Sequence, residues 1–187
     1  SPSGVDATIG GGGINDQGAI RSRFGDNAIL GNVFVQQPGA RIHADAGTLR
    51  LSGTLDVPPN GHLSPTVTFG GAGTVLVDGP GNGITSSLIV NKDGPGTLIV
   101  TATSTYTGTT AVTGGELVWG RRVAFYNADT TKWNAFNFTT GSGAAMSFRV
   151  GDAAGAFTDA DIATLATVGT NMGGFMAGSY IGLDTTG

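Results

Sequence analysis

The sequence predicts an all-β chain wound as a parallel β-solenoid, and three observations carry that prediction. A short string recurs along the chain, apolar residues come in short runs, and the runs are separated by Gly, Asn, Asp and Pro. The string appears as Ala46-Gly47-Thr48-Leu49-Arg50-Leu51-Ser52-Gly53 and as Ala72-Gly73-Thr74-Val75-Leu76-Val77-Asp78-Gly79. It returns as Pro95-Gly96-Thr97-Leu98-Ile99-Val100-Thr101 and as Gly114-Gly115-Glu116-Leu117-Val118-Trp119-Gly120. A weaker copy is Asp26-Asn27-Ala28-Ile29-Leu30-Gly31. Their second residues, at 27, 47, 73, 96 and 115, are spaced by 20, 26, 23 and 19 residues. A coil of two or three short strands plus turns needs a repeat of this length. A β-sandwich also uses short strands with frequent turns. The repeated string favours the solenoid, because like residues then stack from coil to coil.

Composition agrees. Gly is 34 of 187 residues and charged residues are 12%. Such a chain could be low in complexity, but 39% apolar residues in ordered runs supply a core. The whole chain, 1–187, reads as one solenoid domain. The net charge of −4 and the isolated pairs Arg21/Arg23 and Arg121/Arg122 argue against nucleic acid, which needs clustered cations. No stretch approaches the length of an apolar membrane span, so no membrane insertion of this chain is expected. The first residues lack the charged and apolar regions of a signal peptide. Cysteine is absent, which removes disulfides, thiolate metal sites and thiol nucleophiles.

Along the chain, residues 1–13 end in Gly10-Gly11-Gly12-Gly13, a flexible link or a strand edge. That run is not followed by a dinucleotide-binding pattern. Residues 26–120 hold the repeat coils. Leu49, Val75, Leu98 and Leu117 form one expected interior ladder. Leu51, Val77, Val100 and Trp119, two residues on, form a second on the same face. Trp119 is the large member, with a bulge or the outside as its alternative place. Residues 121–170 depart from the pattern: Phe125, Tyr126, Trp133, Phe136 and Phe138 crowd one run. A short helix is expected at about 159–167, with Thr158 as N-cap, Asp159 and Asp161 in its first turn, and Ile162, Leu165 and Ala166 on one face. Residues 171–187 are expected to return to the coil.

The stretch Lys92 to Gly120 closely resembles the autotransporter-associated β-strand repeat of bacterial surface proteins. Lys92, Gly94, Gly96, Thr97, Leu98, Thr105, Tyr106, Thr107, Gly108, Thr110, Val112, Gly115 and Leu117 carry the match. Ser104 and Ala102 depart from it, each at a turn. Residues 144–187 resemble stretches found between such repeats in very long surface proteins. The resemblance implies a right-handed parallel β-helix, extracellular or on the cell surface, without catalytic activity of its own. The function then expected is a structural module: a stalk, surface-layer or fibre component that associates end to end through open strand edges. Within the repeat, Gly94-Pro95-Gly96 is a turn, Gly108 and Gly114/Gly115 are corners, and the Tyr106 ring is expected over a coil edge with its hydroxyl toward water.

Chemistry is sparse. His43 and His62 sit about one coil apart and are either turn residues or a metal pair. Asp45, Asp56 and Asp78 are candidates for the acidic face of a polysaccharide-degrading β-helix, although Asp is also common at turns. Trp119, Tyr126 and Trp133 are candidate contacts for a surface glycan, or they cover apolar surface. The nonapeptide pattern of calcium-binding β-rolls is absent. No cofactor, metal or catalytic residue is assigned, and the chain is expected not to be an enzyme. Adhesion or carbohydrate binding is the alternative.

Overall fold

The computed structural model describes residues 4–185 apart from His62, Asn82, Asp152 and Asn171. In chain order its strands are β1 (Ala7–Gly11), β2 (Ile20–Ser22), β3 (Asn27–Ile29), β4 (Val33–Ala44), β5 (Thr48–Leu51), β6 (Leu55–Asp56), β7 (Thr66–Gly70), β8 (Thr74–Val77) and β9 (Ile89–Lys92). They continue as β10 (Thr97–Val100), β11 (Thr110–Val112), β12 (Glu116–Trp119), β13 (Phe138–Thr140), β14 (Ala145–Arg149), β15 (Gly169–Thr170), β16 (Gly173–Phe175) and β17 (Tyr180–Asp184). The helix α1 (Asp159–Ala166) lies between β14 and β15. Every named strand pair is parallel except β15 with β16.

The chain is a parallel β-solenoid. One long side, sheet A, stacks β2, the second half of β4, β7, β9, β11, β13 and β16. The other, sheet B, stacks β3, β5, β8, β10, β12, β14 and β17. A short third side is formed by β1, the first half of β4 and β6. It continues through the Leu55–Ile84 bridge and the bond from Thr105 N to Ile84 O at 2.9 Å. Coils are numbered below by their strands in sheet B, so β5 lies in coil two and β10 in coil four.

Both expected ladders form. Leu49, Val75, Leu98 and Leu117 are in register, and Met146 and Ile181 extend them. Leu51, Val77, Val100 and Trp119 run on into Phe148 and Leu183. Trp119 is inside: none of its surface reaches solvent, so the bulge and exterior alternatives fall away. Alternation explains the pattern, since every second residue of these strands is buried and its neighbours face out.

The weak first copy sits two residues from its expected place. Asn27 pairs with Leu49, so Gly25 is the coil-one partner of Gly47. The column Gly25, Gly47, Gly73, Gly96, Gly115 then follows one corner of the solenoid. A Cβ on Gly96 would lie 2.1 Å from the carbonyl oxygen of Gly73, and one on Gly115 would lie 2.3 Å from that of Gly96. The coils approach too closely here for any side chain, which is why Gly precedes Thr-Leu in the string.

Two coils are longer. In the register of sheet B, Leu117 pairs with Met146 and Met146 with Ile181, steps of 29 and 35 residues. The first excursion consists of three short 3-10 turns, Arg122–Ala124, Tyr126–Ala128 and Thr130–Lys132. The second carries α1. Thr158 caps it as expected: its hydroxyl accepts from Asp161 N at 3.2 Å, while Asp161 accepts from Thr158 N at 2.9 Å. Residues 173–184 return to both sheets. The Gly run at 10–13 begins within β1, which pairs with β4, and continues into a turn.

Candidate functional site

The repeat stretch encloses a buried lysine. Lys92 occupies the interior ladder of sheet A between Phe69 and Val112, a place where every other coil but coil six puts an apolar residue. Its ammonium donates to the carbonyl oxygens of Asp93 at 2.7 Å, Gly94 at 2.9 Å and Gly114 at 3.1 Å. It therefore joins the A-to-B corners of coils four and five. In the sequence Lys92 stands out only as the first residue of the repeat motif. The signal for its role is its place at an inward position directly before a Gly-rich corner. Burial pulls its pKa down to about 8; the Asp93 carboxylate acts in the opposite sense and the Arg41 guanidinium adds to the fall.

This location gives a pH-dependent prediction. The unfolded chain holds the Lys92 proton more tightly than the fold does, so stability rises with pH between about 8 and the ordinary value of 10.5. Lys92→Met keeps the apolar contacts but leaves three carbonyls without their donor. It is expected to cost about 2 kcal/mol near neutral pH and to abolish the rise. Urea unfolding of both proteins across that pH range checks both statements.

The repeat's other residues are structural too. Tyr106 is buried rather than directed at water, because the excursion after Gly120 covers it. Its hydroxyl bonds Thr110 Oγ1 at 2.7 Å, and burial raises its pKa well above the usual value. Thr110 also lies 3.2 Å from the Tyr126 hydroxyl, which donates to Asn137 O at 2.7 Å. Thr105 and Thr107 face outward, and the segment from Thr101 to Thr109 joins the third side by single bonds rather than as a strand.

Trp119, Tyr126 and Trp133 come together, but in the core. Phe125 is their centre, with ring centroids 4.8 Å from Trp119, 4.9 Å from Tyr126 and 5.8 Å from Trp133. Phe138 and Phe148 complete its surroundings at 5.7 and 6.0 Å. Trp119, Tyr126 and Trp133 are at most 3% exposed, which leaves no ring face for a glycan to stack on. Arg122 lies 5.2 Å above Trp133 and grips Asp161 of α1 at 2.8 and 3.0 Å. That pair fastens the two excursions to each other. Burial alone would raise the Asp161 pKa, but the hydrogen bonds from Arg122 and Thr158 hold it below the usual carboxylate range. Tyr126, Asn127 and Ala128 all take left-handed φ, a strained turn that tight ring packing holds in place.

The candidate acids do not converge. Asp45 follows sheet A and is bound by Arg21, whose hydrogen bonds lower its pKa. Asp78 follows sheet B and takes two bonds from Arg50 at 2.9 and 2.8 Å. Asp56 is on the third side, where Ser86 and Val57 N donate to it. His43 stands on sheet A with its Nε2 3.2 Å from Asp45; burial and the neighbouring Arg41 charge lower its pKa. His62 lies outside the described residues. Among the described residues no group of three or more His, Asp or Glu is placed to hold a metal.

The strongest polar arrangement was not foreseen. Arg41 of coil two reaches across Gly70 of coil three to Asp93 of coil four, in a bidentate pair at 2.8 and 2.7 Å. A Cβ at Gly70 would lie 2.3 Å from the guanidinium. The signal in the sequence is the first Gly of Gly70-Gly71, which ends β7 on the outward side.

No curated protein and no solved structure matches the chain significantly. A family model does match: residues 90–118 fit the passenger-associated transport repeat. The matched segment is β9 from Val90, β10, β11 and β12 up to Val118, the stretch that holds the Lys92 clamp. The chain is a β-solenoid that carries the passenger-associated transport repeat, the architecture and the motif of an autotransporter-associated β-strand repeat protein.

Proposed function

We propose that the chain is a non-catalytic structural module, a segment of stalk, surface layer or fibre in a bacterial exported protein. The passenger-associated repeat and the solenoid support a passenger-like module, and that repeat family implies a secreted or surface-exposed protein. The observation that carries the reading is the continuous stack: seven strands in sheet B, in register from coil to coil, with the repeat residues used for corners, ladders and clamps. Its expected behaviour is that of a scaffold. Incubated with a broad panel of polysaccharides, the protein should release no reducing ends; release would overturn the non-catalytic reading.

Self-association is the finer part of the proposal. Among the described residues β3 and β17 each pair on one side only, which offers strand edges to another chain. Phe24 is 72% and Leu183 56% exposed, at opposite ends of the stack. Sedimentation velocity should show species that grow with concentration, and Leu183→Lys should suppress them. Compact monomers at every concentration would sink the self-association while leaving the scaffold reading standing.

A further inference from the structure

We propose that a groove on the outer face of sheet A, across coils two to four, binds a neutral saccharide unit. The groove has a volume of about 300 Å³. Its polar lining is Asp16, Arg41, Thr66, Thr68, Asn91 and Asp93, with the backbone of residues 11–12 along one rim. This is independent of the scaffold reading and lies apart from the buried aromatic cluster.

The register builds the floor. Arg41, Thr68 and Asn91 are in-register partners on β4, β7 and β9. A guanidinium, a hydroxyl and an amide therefore follow one another at the strand spacing of about 4.8 Å. Further along, the same row offers only Ala111 and Thr139, so the polar groups are concentrated here. Asp93 is fixed by its bidentate bond to Arg41, which lies flat over Gly70. The turn after β1 supplies the overhang. It is closed by Gly18 N to Gly12 O at 2.7 Å and tied to the sheet by Ala19 N to Arg41 O at 2.8 Å. Asn15 and Asp16 take left-handed φ of 54° and 57° there. The Asp16 carboxylate stands 3.8 Å from Arg41 and is 74% exposed, free to accept from a ligand.

Charge and lining select the ligand. Two carboxylates face one guanidinium that is already committed, which repels phosphates and carboxylates. A cation would find Asp93 already paired with Arg41, which leaves the exposed Asp16 as its single free carboxylate. Among the described residues the apolar part of the lining is Pro38 and Ala40, with no aromatic side chain, which disfavours large apolar ligands. Hydroxyl groups both donate and accept, and so can satisfy carboxylates, an amide and threonines at once. The volume is at the lower end of small-molecule sites. A sugar ring of a neutral glycan meets these conditions.

The test is a glycan array of neutral and acidic oligosaccharides, followed by NMR titration of the labelled protein with the neutral hits and with glucose, galactose, mannose and N-acetylglucosamine. Neutral glycans should bind and shift the amides of residues 11–18, 66–68 and 91–93. Asp16→Ala and Asn91→Ala should each weaken binding about tenfold while circular dichroism stays native. Binding to none of the neutral probes would overturn the proposal, as would a preference for acidic glycans. Unchanged affinity in Asp16→Ala would do the same; that residue is exposed, so this variant decides the matter even if Asn91→Ala fails to fold.

Discussion

Gly96→Ala is expected to cost about 3 kcal/mol of stability, because the added methyl has nowhere to go. It would lie 2.1 Å from Gly73 O, 2.7 Å from Ala72 C and 2.8 Å from Gly71 O. All three atoms are backbone, so no rotamer change relieves the contact. Moving the coils apart would break the bonds from Gly96 N to Gly71 O at 2.9 Å and from Thr97 N to Gly73 O at 3.1 Å. Gly81→Ala is the control. A Cβ there meets nothing within 4 Å, and the change should stay within about 0.5 kcal/mol. Urea midpoints measure both. Equal midpoints for the two variants would refute the corner packing described above.

Trp119→Ala should cost more, about 4 kcal/mol. The indole sits in the ladder between Val100 and Phe148 and packs against Phe125. Its Nε1 has no hydrogen-bond partner, so packing alone is at stake. Trp119→Phe should therefore recover most of the loss, to within about 1.5 kcal/mol of the wild type. Phe136→Ala, at a ring 89% exposed, should be nearly silent. Thermal unfolding with near-ultraviolet circular dichroism distinguishes these cases. A native-like stability for Trp119→Ala would show that the indole is not part of the core.

Sheet B was legible because the inward residues of coils two to five are uniformly apolar and each of these copies starts at the same crowded corner. The first copy slipped by two residues because Asn27-Ala28 lacks the Gly-Thr that marks the register elsewhere. Sheet A left no string. Its ladder runs Ile42, Phe69, Lys92, Val112, Thr140 and Phe175, and the Lys and Thr disguise an interior position. Lys92 reads as solvated until its three carbonyl partners are known. The helix was legible from its cap, whereas the 3-10 turns were not. Left-handed φ at Tyr126 and Ala128 has no signal in residue type and depends on the rings around it. The partners Arg122 and Asp161 are 39 residues apart, and Arg41 and Asp93 are 52, distances across which only the winding of the coil decides who meets whom.

The glycine corner also separates two quantities that a winding usually couples, its pitch and its circumference. The pitch is set at the corner, where the chain allows one backbone-to-backbone approach. The circumference is free, since coils from 19 to 26 residues share that corner. Evolution can thus lengthen one loop of the winding, and build a surface on it, without changing the thread on which its neighbours run.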